Sequence, residues 1–233
     1  MIATAFPDPP SSLVLQLLLV GLWLAIVIGS AELLKRFVST DPEITRKVVH
    51  IGTGNIILLA WWLDIPAWVG ISASVIFSIV TLLSYRYPIL PSVSGVGRKS
   101  LGTFFYALSI GILMAWFWPL RLPQYAAIGI LIMTWGDGLA ALIGQRFGRH
   151  PYQVWGMNKS WEGSLSMVGV SFLIIYALLW IVQGNVMATW VCAIALSIIV
   201  STLEAFSKWG IDNLTVPIAS AAMCFVLNEF WLI

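Results

Sequence analysis

The stretch SLSMVGVSFLIIYALLWIV, residues 164–182, runs for nineteen residues without a charged side chain. A helix rises about 1.5 Å per residue, so this stretch can cross the roughly 30 Å hydrocarbon core of a bilayer. Apolar residues make up 60% of the chain and charged residues 9%, whereas a soluble domain contains about 25% charged residues. We therefore predict an all-α, polytopic integral membrane protein.

Similar apolar runs recur along the whole chain and predict about eight transmembrane helices. The expected spans are residues 12–34, 48–64, 66–84, 101–118, 123–143, 164–182, 186–206 and 216–233. They leave no room for a separate soluble domain. We expect one transmembrane helical domain over residues 1–233, in which residues 1–11 form a short polar N-terminal segment.

The positive charges are distributed unevenly between the two sides of this predicted bundle. Eleven of the twelve Lys and Arg residues fall in loops on one side, and Arg121 falls on the other. Cytoplasmic loops are enriched in Lys and Arg, which predicts that both termini lie on the non-cytoplasmic side. The net charge of +2 reflects this bias, and we expect no nucleic acid binding.

The stretch WGDGLAALIGQRFG, residues 135–148, places a carboxylate above a stripe of small residues. Its members share one helical face because they are spaced by four, three and four residues: Asp137, Ala141, Gly144 and Gly148. One interpretation is close helix packing, with Asp137 paired to a Lys or Arg. The other is a face kept clear for a ligand, with Asp137 holding a divalent metal ion.

The segment GMNKSWEG, residues 156–163, leads into the sixth predicted span. Asn158 or Ser160 can cap that helix, and a helix N-terminus beside Lys159 is suited to binding phosphate. Glu162, in the first turn, either belongs to a site or only favours the helix dipole. The chain has no G-x-x-x-x-G-K-[ST] pattern, so any nucleotide is bound without a Walker P-loop.

A second carboxylate lies within an otherwise apolar span, at Glu204. The simplest interpretation is an ion pair with Lys208, four residues further on. The alternative is that Glu204 serves a charged site at the end of the bundle. Asp212 and Asn213, read alone, indicate a turn before the last span.

Cations gather near the starts of the second and fourth spans. Arg46 and His50 are four residues apart and share a helical face beside Lys47, which makes an anion site plausible. Arg98 and Lys99 lie among glycines before the fourth span. All these cations and the carboxylates described above converge on one predicted membrane face. Such a set can hold a Mg²⁺–nucleotide, while the bundle accepts a lipid tail.

This set of spaced residues resembles the polyprenol kinase family, which includes phytol, farnesol and dolichol kinases. The resemblance extends from about Glu43 to Pro217 and rests on Arg46-Lys47-x-x-His50, Gly136-Asp137-x-x-Ala140-x-x-x-Gly144-x-x-x-Gly148, Lys159-Ser160-x-Glu162-Gly163, Glu204 and Asp212-Asn213. It implies a CTP-dependent membrane kinase that phosphorylates a prenyl alcohol and needs Mg²⁺. The small size is most similar to that of phytol kinases.

The resemblance also implies roles for individual residues. We expect Asp137, Glu162 and Asp212 to hold Mg²⁺, and Glu204 or His50 to act as the general base, with Lys159 on the triphosphate. The further nucleotide contacts are then Arg46, Lys47, Arg98, Lys99, Gly144, Gly148, Ser160 and Asn213. The implied partners are CTP, a prenyl alcohol and the lipid bilayer of a bacterial plasma membrane or a thylakoid-type membrane.

Two other functions remain open on the sequence. Phosphatidate cytidylyltransferases share the Asp-x-x-Ala-x-x-x-Gly and Lys-x-x-Glu-Gly block, but their Pro-Gly-His-Gly-Gly and Asp-Arg-x-Asp segments are absent from this chain. A small membrane transporter can also carry intramembrane carboxylates, but the chain shows no internal repeat. The kinase interpretation is therefore favoured.

Overall fold

The computed structural model describes residue 10 and residues 12–37, 42–85, 87 and 101–231. Within these residues the chain forms ten α-helices and one β-hairpin. The helices are α1 (Leu13–Phe37), α2 (Pro42–Gly54), α3 (Ile56–Trp62), α4 (Ala67–Ser84), α5 (Gly102–Phe117), α6 (Pro123–Leu131), α7 (Gly138–Phe147), α8 (Trp161–Gln183), α9 (Met187–Ala205) and α10 (Asp212–Val226). The strands are β1 (Pro151–Val154) and β2 (Met157–Ser160).

Two π-helical turns interrupt this pattern. The first, Ile132–Asp137, joins α6 to α7 and makes residues 123–147 one continuous helical segment. The second, Leu227–Trp231, continues α10. Such turns insert extra backbone into a helix, and they occur frequently at functional sites.

The prediction of an all-α, polytopic membrane protein is confirmed. Among the described residues, six helical segments are long and apolar enough to cross a bilayer: Leu13–Phe37, Ala67–Ser84, Pro123–Phe147, Trp161–Gln183, Met187–Ala205 and Asp212–Phe230. The shorter α5 is also apolar, and the span expected at residues 48–64 is divided between α2 and α3 at Asn55. The count of eight spans and the placement of the termini stay predictions.

Helix α6 forms the centre of the bundle. Every residue from Gln124 to Leu131 is buried, because α3, α5, α8 and α10 all pack around this helix. Its contact with α10 is close: a Cβ atom at Gly129 would collide with the backbone carbonyl of Pro217. A helix that is apolar on every side, as α6 nearly is, belongs in such a position.

The hairpin of β1 and β2 was not predicted from the sequence. The strands pair antiparallel from Pro151 with Ser160 to Val154 with Met157. Trp155 and Gly156 form the turn with φ angles of 49° and 77°, and a two-residue type I′ turn requires positive φ at both central positions. The hairpin joins α7 to α8 and carries Lys159 on its second strand.

Candidate active site

Asp137 and Lys47 form an ion pair between two helical segments. Asp137 is the last residue of the π-helical turn, and Lys47 comes from α2. Lys47 Nζ lies 2.6 Å from Asp137 Oδ2, and the two side chains are only 5% and 18% exposed. A lysine so closed to solvent needs a partner of opposite charge. The pairing of Asp137 with a cation, which was one of the two sequence interpretations, is therefore present.

A second ion pair joins the hairpin to the end of α9. Lys159 Nζ on β2 contacts the carboxylate of Glu204 and lies 3.4 Å from the Glu204 backbone oxygen. The simpler sequence interpretation, an ion pair of Glu204 with Lys208, is wrong. Helix α9 ends at Ala205, so Lys208 is not on a following helical turn, and its Nζ donates a 3.0 Å hydrogen bond to the Trp155 carbonyl oxygen.

Asp212 brings a third carboxylate to the same end of the bundle. It opens α10, after a turn in which Trp209 and Gly210 have φ angles of 60° and 82°. Asp212 interacts electrostatically with Asp137, Glu204 and Lys159. Its neighbour Asn213 donates a 3.3 Å hydrogen bond to the Gly210 carbonyl oxygen and so holds the turn.

We refer to these five side chains as the charged cluster: Lys47, Asp137, Lys159, Glu204 and Asp212. They come from α2, the π-helical turn, β2, α9 and α10, so the fold assembles the cluster from residues that are distant in sequence. Asp137 also interacts electrostatically with Lys159, which connects the two ion pairs. The cluster combines three oxygen-donor carboxylates with two cations, which is the chemistry that a metal-bound polyanion requires.

His50 lies next to the charged cluster with one ring nitrogen unused. It interacts electrostatically with Asp137 and Lys47, and its ring centroid is 4.4 Å from that of Tyr106. The Tyr106 hydroxyl is in turn 2.9 Å from Thr134 Oγ1. His50 Nε2 is buried and has no hydrogen-bond partner among the described residues. A buried polar atom without a partner is unusual and calls for an explanation.

Gly54 allows α2 to approach the π-helical turn. A Cβ atom at Gly54 would collide with the Thr134 side chain and the Tyr106 hydroxyl. Tyr106 and Thr134 were not singled out from the sequence, because an isolated Tyr and Thr in apolar spans carry no pattern. Only the fold shows that the Tyr106 ring lies against His50 and that its hydroxyl bonds to Thr134.

Glu162 pairs with His150 and is not part of the charged cluster. Its Oε1 lies 2.7 Å from His150 Nδ1, and the His150 side chain is largely exposed. Among the described residues no group of three His, Cys, Asp or Glu side chains is close enough to hold a metal ion. Asp137, Glu162 and Asp212 therefore do not form a ready-made three-ligand site, and their role as Mg²⁺ ligands stays a prediction. His150 was not singled out either, because its contact depends on the hairpin.

The small-residue stripe takes part in helix packing. Gly163 approaches α7 so closely that a Cβ there would lie 2.9 Å from the Ala140 carbonyl oxygen and 3.3 Å from Gly144 Cα. Gly148 likewise faces Ser160. Ser160 Oγ accepts a 3.2 Å hydrogen bond from the Gly163 amide, so the prediction that Asn158 or Ser160 caps α8 is confirmed for Ser160. These contacts support the packing interpretation, and nucleotide binding by Gly144, Gly148 and Ser160 stays a prediction.

The remaining predicted phosphate contacts fall into two groups. Arg46 interacts electrostatically with His50, which places it at the edge of the charged cluster. Arg98 and Lys99 lie outside the described residues. Nucleotide binding by Arg46, Arg98, Lys99 and Asn213 therefore stays a prediction.

Comparison with known proteins shows to which family the chain belongs. The chain is 53% identical to a phytol kinase of Synechocystis sp. over 214 residues, which are 92% of this chain and 92% of that protein. It is 28% identical to phytol kinase 1 of Arabidopsis thaliana over 87% of this chain and 72% of that protein. It is 30% identical to a farnesol kinase of the same plant over 80% of this chain and 65% of that protein. No protein-family model matches the chain, and no solved structure matches it significantly. With more than half of its residues identical over nearly the full length of a phytol kinase, the chain belongs to the polyprenol kinase family.

Proposed function

We propose that the protein transfers the γ-phosphoryl group of CTP to the hydroxyl group of a prenyl alcohol, with phytol as the first candidate. The observation that carries this proposal is the 53% identity to a phytol kinase over 92% of both chains. The farnesol kinase among the relatives accepts an alcohol of the same chemical class by its name. The products are the prenyl monophosphate and CDP.

The charged cluster supplies what this reaction demands. Phosphoryl transfer depends mainly on in-line positioning and on neutralising the charge of the phosphates. In this proposal Lys47 and Lys159 bind phosphate oxygens, and Asp137 and Asp212 bind a divalent metal ion. Mg²⁺ is usually held by one or two protein carboxylates together with substrate phosphates and water, so the cluster fits it without a third preformed ligand. When bound, Mg²⁺ neutralises charge on the transferring phosphoryl group.

We assign the role of general base to His50. Its Nε2 atom is buried and without a partner beside Asp137, whereas the Glu204 carboxylate already binds Lys159. As the alcohol oxygen attacks the γ-phosphorus, its proton passes to His50 Nε2 and the bond from phosphorus to the β–γ bridging oxygen breaks. The electron pair of that bond leaves with CDP.

The lipid substrate reaches this site from the membrane. The outer helices expose large apolar side chains, for example Leu18 on α1 and Ile76 on α4, and a prenyl tail is compatible with that surface. We propose a plasma or thylakoid-type membrane in which the charged cluster faces the cytoplasm, as the distribution of Lys and Arg favours.

The experiment that tests this function uses the protein purified in detergent with Mg²⁺. Phytol, farnesol, geranylgeraniol, dolichol and phosphatidate are each supplied with CTP, UTP or ATP, and lipid products are identified by mass spectrometry. We expect a prenyl monophosphate with CTP, and its loss in Asp137→Ala. Formation of CDP-lipid from phosphatidate, or no turnover of any alcohol, would contradict the proposal.

A further inference from the structure

We propose that the two ion pairs of the charged cluster select the metal-complexed nucleotide and reject the free triphosphate. The two pairs are Lys47–Asp137 and Lys159–Glu204. In each pair the lysine can bind phosphate, and the carboxylate can bind the metal ion or lie beside it. This inference rests on the proposed function and adds to it a rule for substrate selection. Glu204 then acts as a specificity-determining residue, in addition to Asp137.

In the free protein each lysine is engaged by the carboxylate of its pair, and the side chain of Lys159 remains 23% exposed. Lys47 is 4% exposed as a whole residue and lies 2.6 Å from Asp137. Lys159 is held both by the Glu204 carboxylate and by its backbone oxygen. Removing one partner from a buried pair is strongly unfavourable, because it leaves the other charge uncompensated. A phosphate group can therefore take a lysine only if the released carboxylate finds a new partner.

A free triphosphate cannot meet that condition. It would draw Lys47 and Lys159 away from their partners and place its negative charges next to Asp137, Glu204 and Asp212. Like charges brought together at a site with little solvent repel one another strongly. A divalent cation alone has the opposite defect, because it would take the carboxylates and leave two lysines unpaired beside it.

The complex of metal and triphosphate meets both demands at once. Its phosphate oxygens would accept from Lys47 and Lys159, and the positive charge of its metal would balance Asp137 and Glu204, the carboxylates that those lysines release. The two ion pairs within the protein are thus replaced by contacts of the lysines with phosphate and of the carboxylates with the metal ion. No charged group is left without a partner of opposite charge. Asp212 forms no ion pair of its own among the described residues, and it adds negative charge that a bound cation would balance.

The test measures equilibrium binding of labelled CTP to the purified protein, once in excess EDTA and once in saturating Mg²⁺. For the natural protein we expect at least about tenfold tighter binding with Mg²⁺. In Asp137→Asn the repulsion falls and Lys47 is released, so CTP in EDTA should bind several-fold more tightly than to the natural protein. In Mg²⁺ the same variant should bind CTP more weakly. Tighter CTP binding in EDTA together with weaker CTP binding in Mg²⁺ is the result that replacement of the ion pairs predicts.

Two further variants make the result specific. Glu204→Gln releases Lys159 and should change binding in the same two opposite directions, and it carries the test if Asp137→Asn does not elute as a monodisperse protein. Glu229→Gln neutralises a carboxylate at the other end of the bundle, where it bonds to Tyr125. It should leave CTP binding unchanged under both conditions.

The outcomes separate this inference from the proposed function. If both cluster variants weaken CTP binding in EDTA as well as in Mg²⁺, or if the natural protein binds CTP equally under both conditions, selection by the ion pairs is overturned while CTP binding still supports the kinase. If the natural protein binds CTP under neither condition, the proposed nucleotide site and the selection rule both fail.

Discussion

Lys47 places a positive charge where almost no solvent reaches it, and Asp137 balances that charge at 2.6 Å. A surface ion pair contributes little to stability because water screens it, whereas a buried pair that loses one partner leaves an uncompensated charge. The chain contains both kinds. Asp64 and Arg121 form an exposed pair with a 3.7 Å separation, and their side chains are 71% and 84% exposed.

This contrast gives a prediction for stability. Lys47→Met should lower the free energy of unfolding by about 3 kcal/mol, because Asp137 is left buried and unpaired. Arg121→Met should change it by less than about 0.5 kcal/mol. Denaturant unfolding in detergent, followed by tryptophan fluorescence, measures both. Equal effects of the two substitutions would show that the Lys47–Asp137 pair is not buried as described.

His50 allows a prediction about the chemical step. His50→Gln should lower kcat by roughly 10²–10⁴-fold, because the alcohol proton loses its acceptor. The KM for CTP should change by less than about threefold, because the imidazole does not bind phosphate in this account. Tyr106→Phe keeps the neighbouring ring and serves as the control, with kcat near that of the natural protein. A kcat of His50→Gln close to normal would remove His50 as the base.

The hairpin is the element that carries Lys159 to Glu204. Its tip is held against the segment between α9 and α10 by the Lys208–Trp155 hydrogen bond and by an edge-to-face contact of Trp155 with Phe206. Its second strand ends at Ser160, the cap of α8. The position of Lys159 therefore depends on the turn geometry of the hairpin as well as on its own ion pair.

Gly156 tests this dependence. Its φ angle is 77°, and a Cβ atom there would meet no atom within 4 Å beyond the two neighbouring residues. Gly156→Val should strain the turn by roughly 1–2 kcal/mol through the backbone alone and raise the KM for CTP several-fold. Gly156→Asn is the matched control, because Asn tolerates positive φ, and its kinetics should stay near normal. Identical kinetics for Val and Asn would show that the hairpin does not position Lys159.

The sequence predicts those helices and strands whose pattern lies within one continuous stretch of residues. It does not predict contacts between residues that are distant along the chain. The apolar runs predict the helices well because about twenty successive apolar side chains are what a helix in the hydrocarbon core of a bilayer requires. Residues 151–160 are short and mixed, so no periodicity indicates the hairpin. Glu204 and Lys208 have helical spacing, yet α9 ends at Ala205 and the pair does not form. The actual partner, Lys159, is 45 residues away and becomes visible only in the fold.

The two ends of the whole bundle hold two separate polar groups. The charged cluster lies where α10 begins. A second network lies where α10 ends. The Tyr125 hydroxyl donates a 2.6 Å hydrogen bond to the Glu229 carboxylate and accepts a 2.8 Å hydrogen bond from the Asn228 amide. The same Asn228 amide nitrogen also donates to Gln183. The helical rise from Asp212 to Asn228 is roughly 24 Å. The distant network joins the ends of α6, α8 and α10, so its role is to stabilise the bundle.

This separation predicts that stability and nucleotide binding respond independently. Tyr125→Phe should lower the free energy of unfolding by about 1–3 kcal/mol, because Glu229 and Asn228 each lose a hydrogen bond, while the Kd for Mg²⁺–CTP stays unchanged. Tyr176→Phe removes only an exposed 3.4 Å hydrogen bond to Asn185 and should have little effect. Weaker CTP binding in Tyr125→Phe would mean that the two ends are coupled.

As a kinase of a prenyl alcohol, the whole molecule transfers a phosphoryl group, and not a nucleotidyl group, to its lipid substrate. The most direct measurement supplies the purified protein with phytol, Mg²⁺ and CTP labelled either at the α-phosphate or at the γ-phosphate, and follows the label into the lipid fraction. We predict that the γ-label appears in phytyl monophosphate and that the α-label stays in CDP. Transfer of the α-label to lipid, with the γ-label released as pyrophosphate, would contradict the proposed phosphoryl transfer.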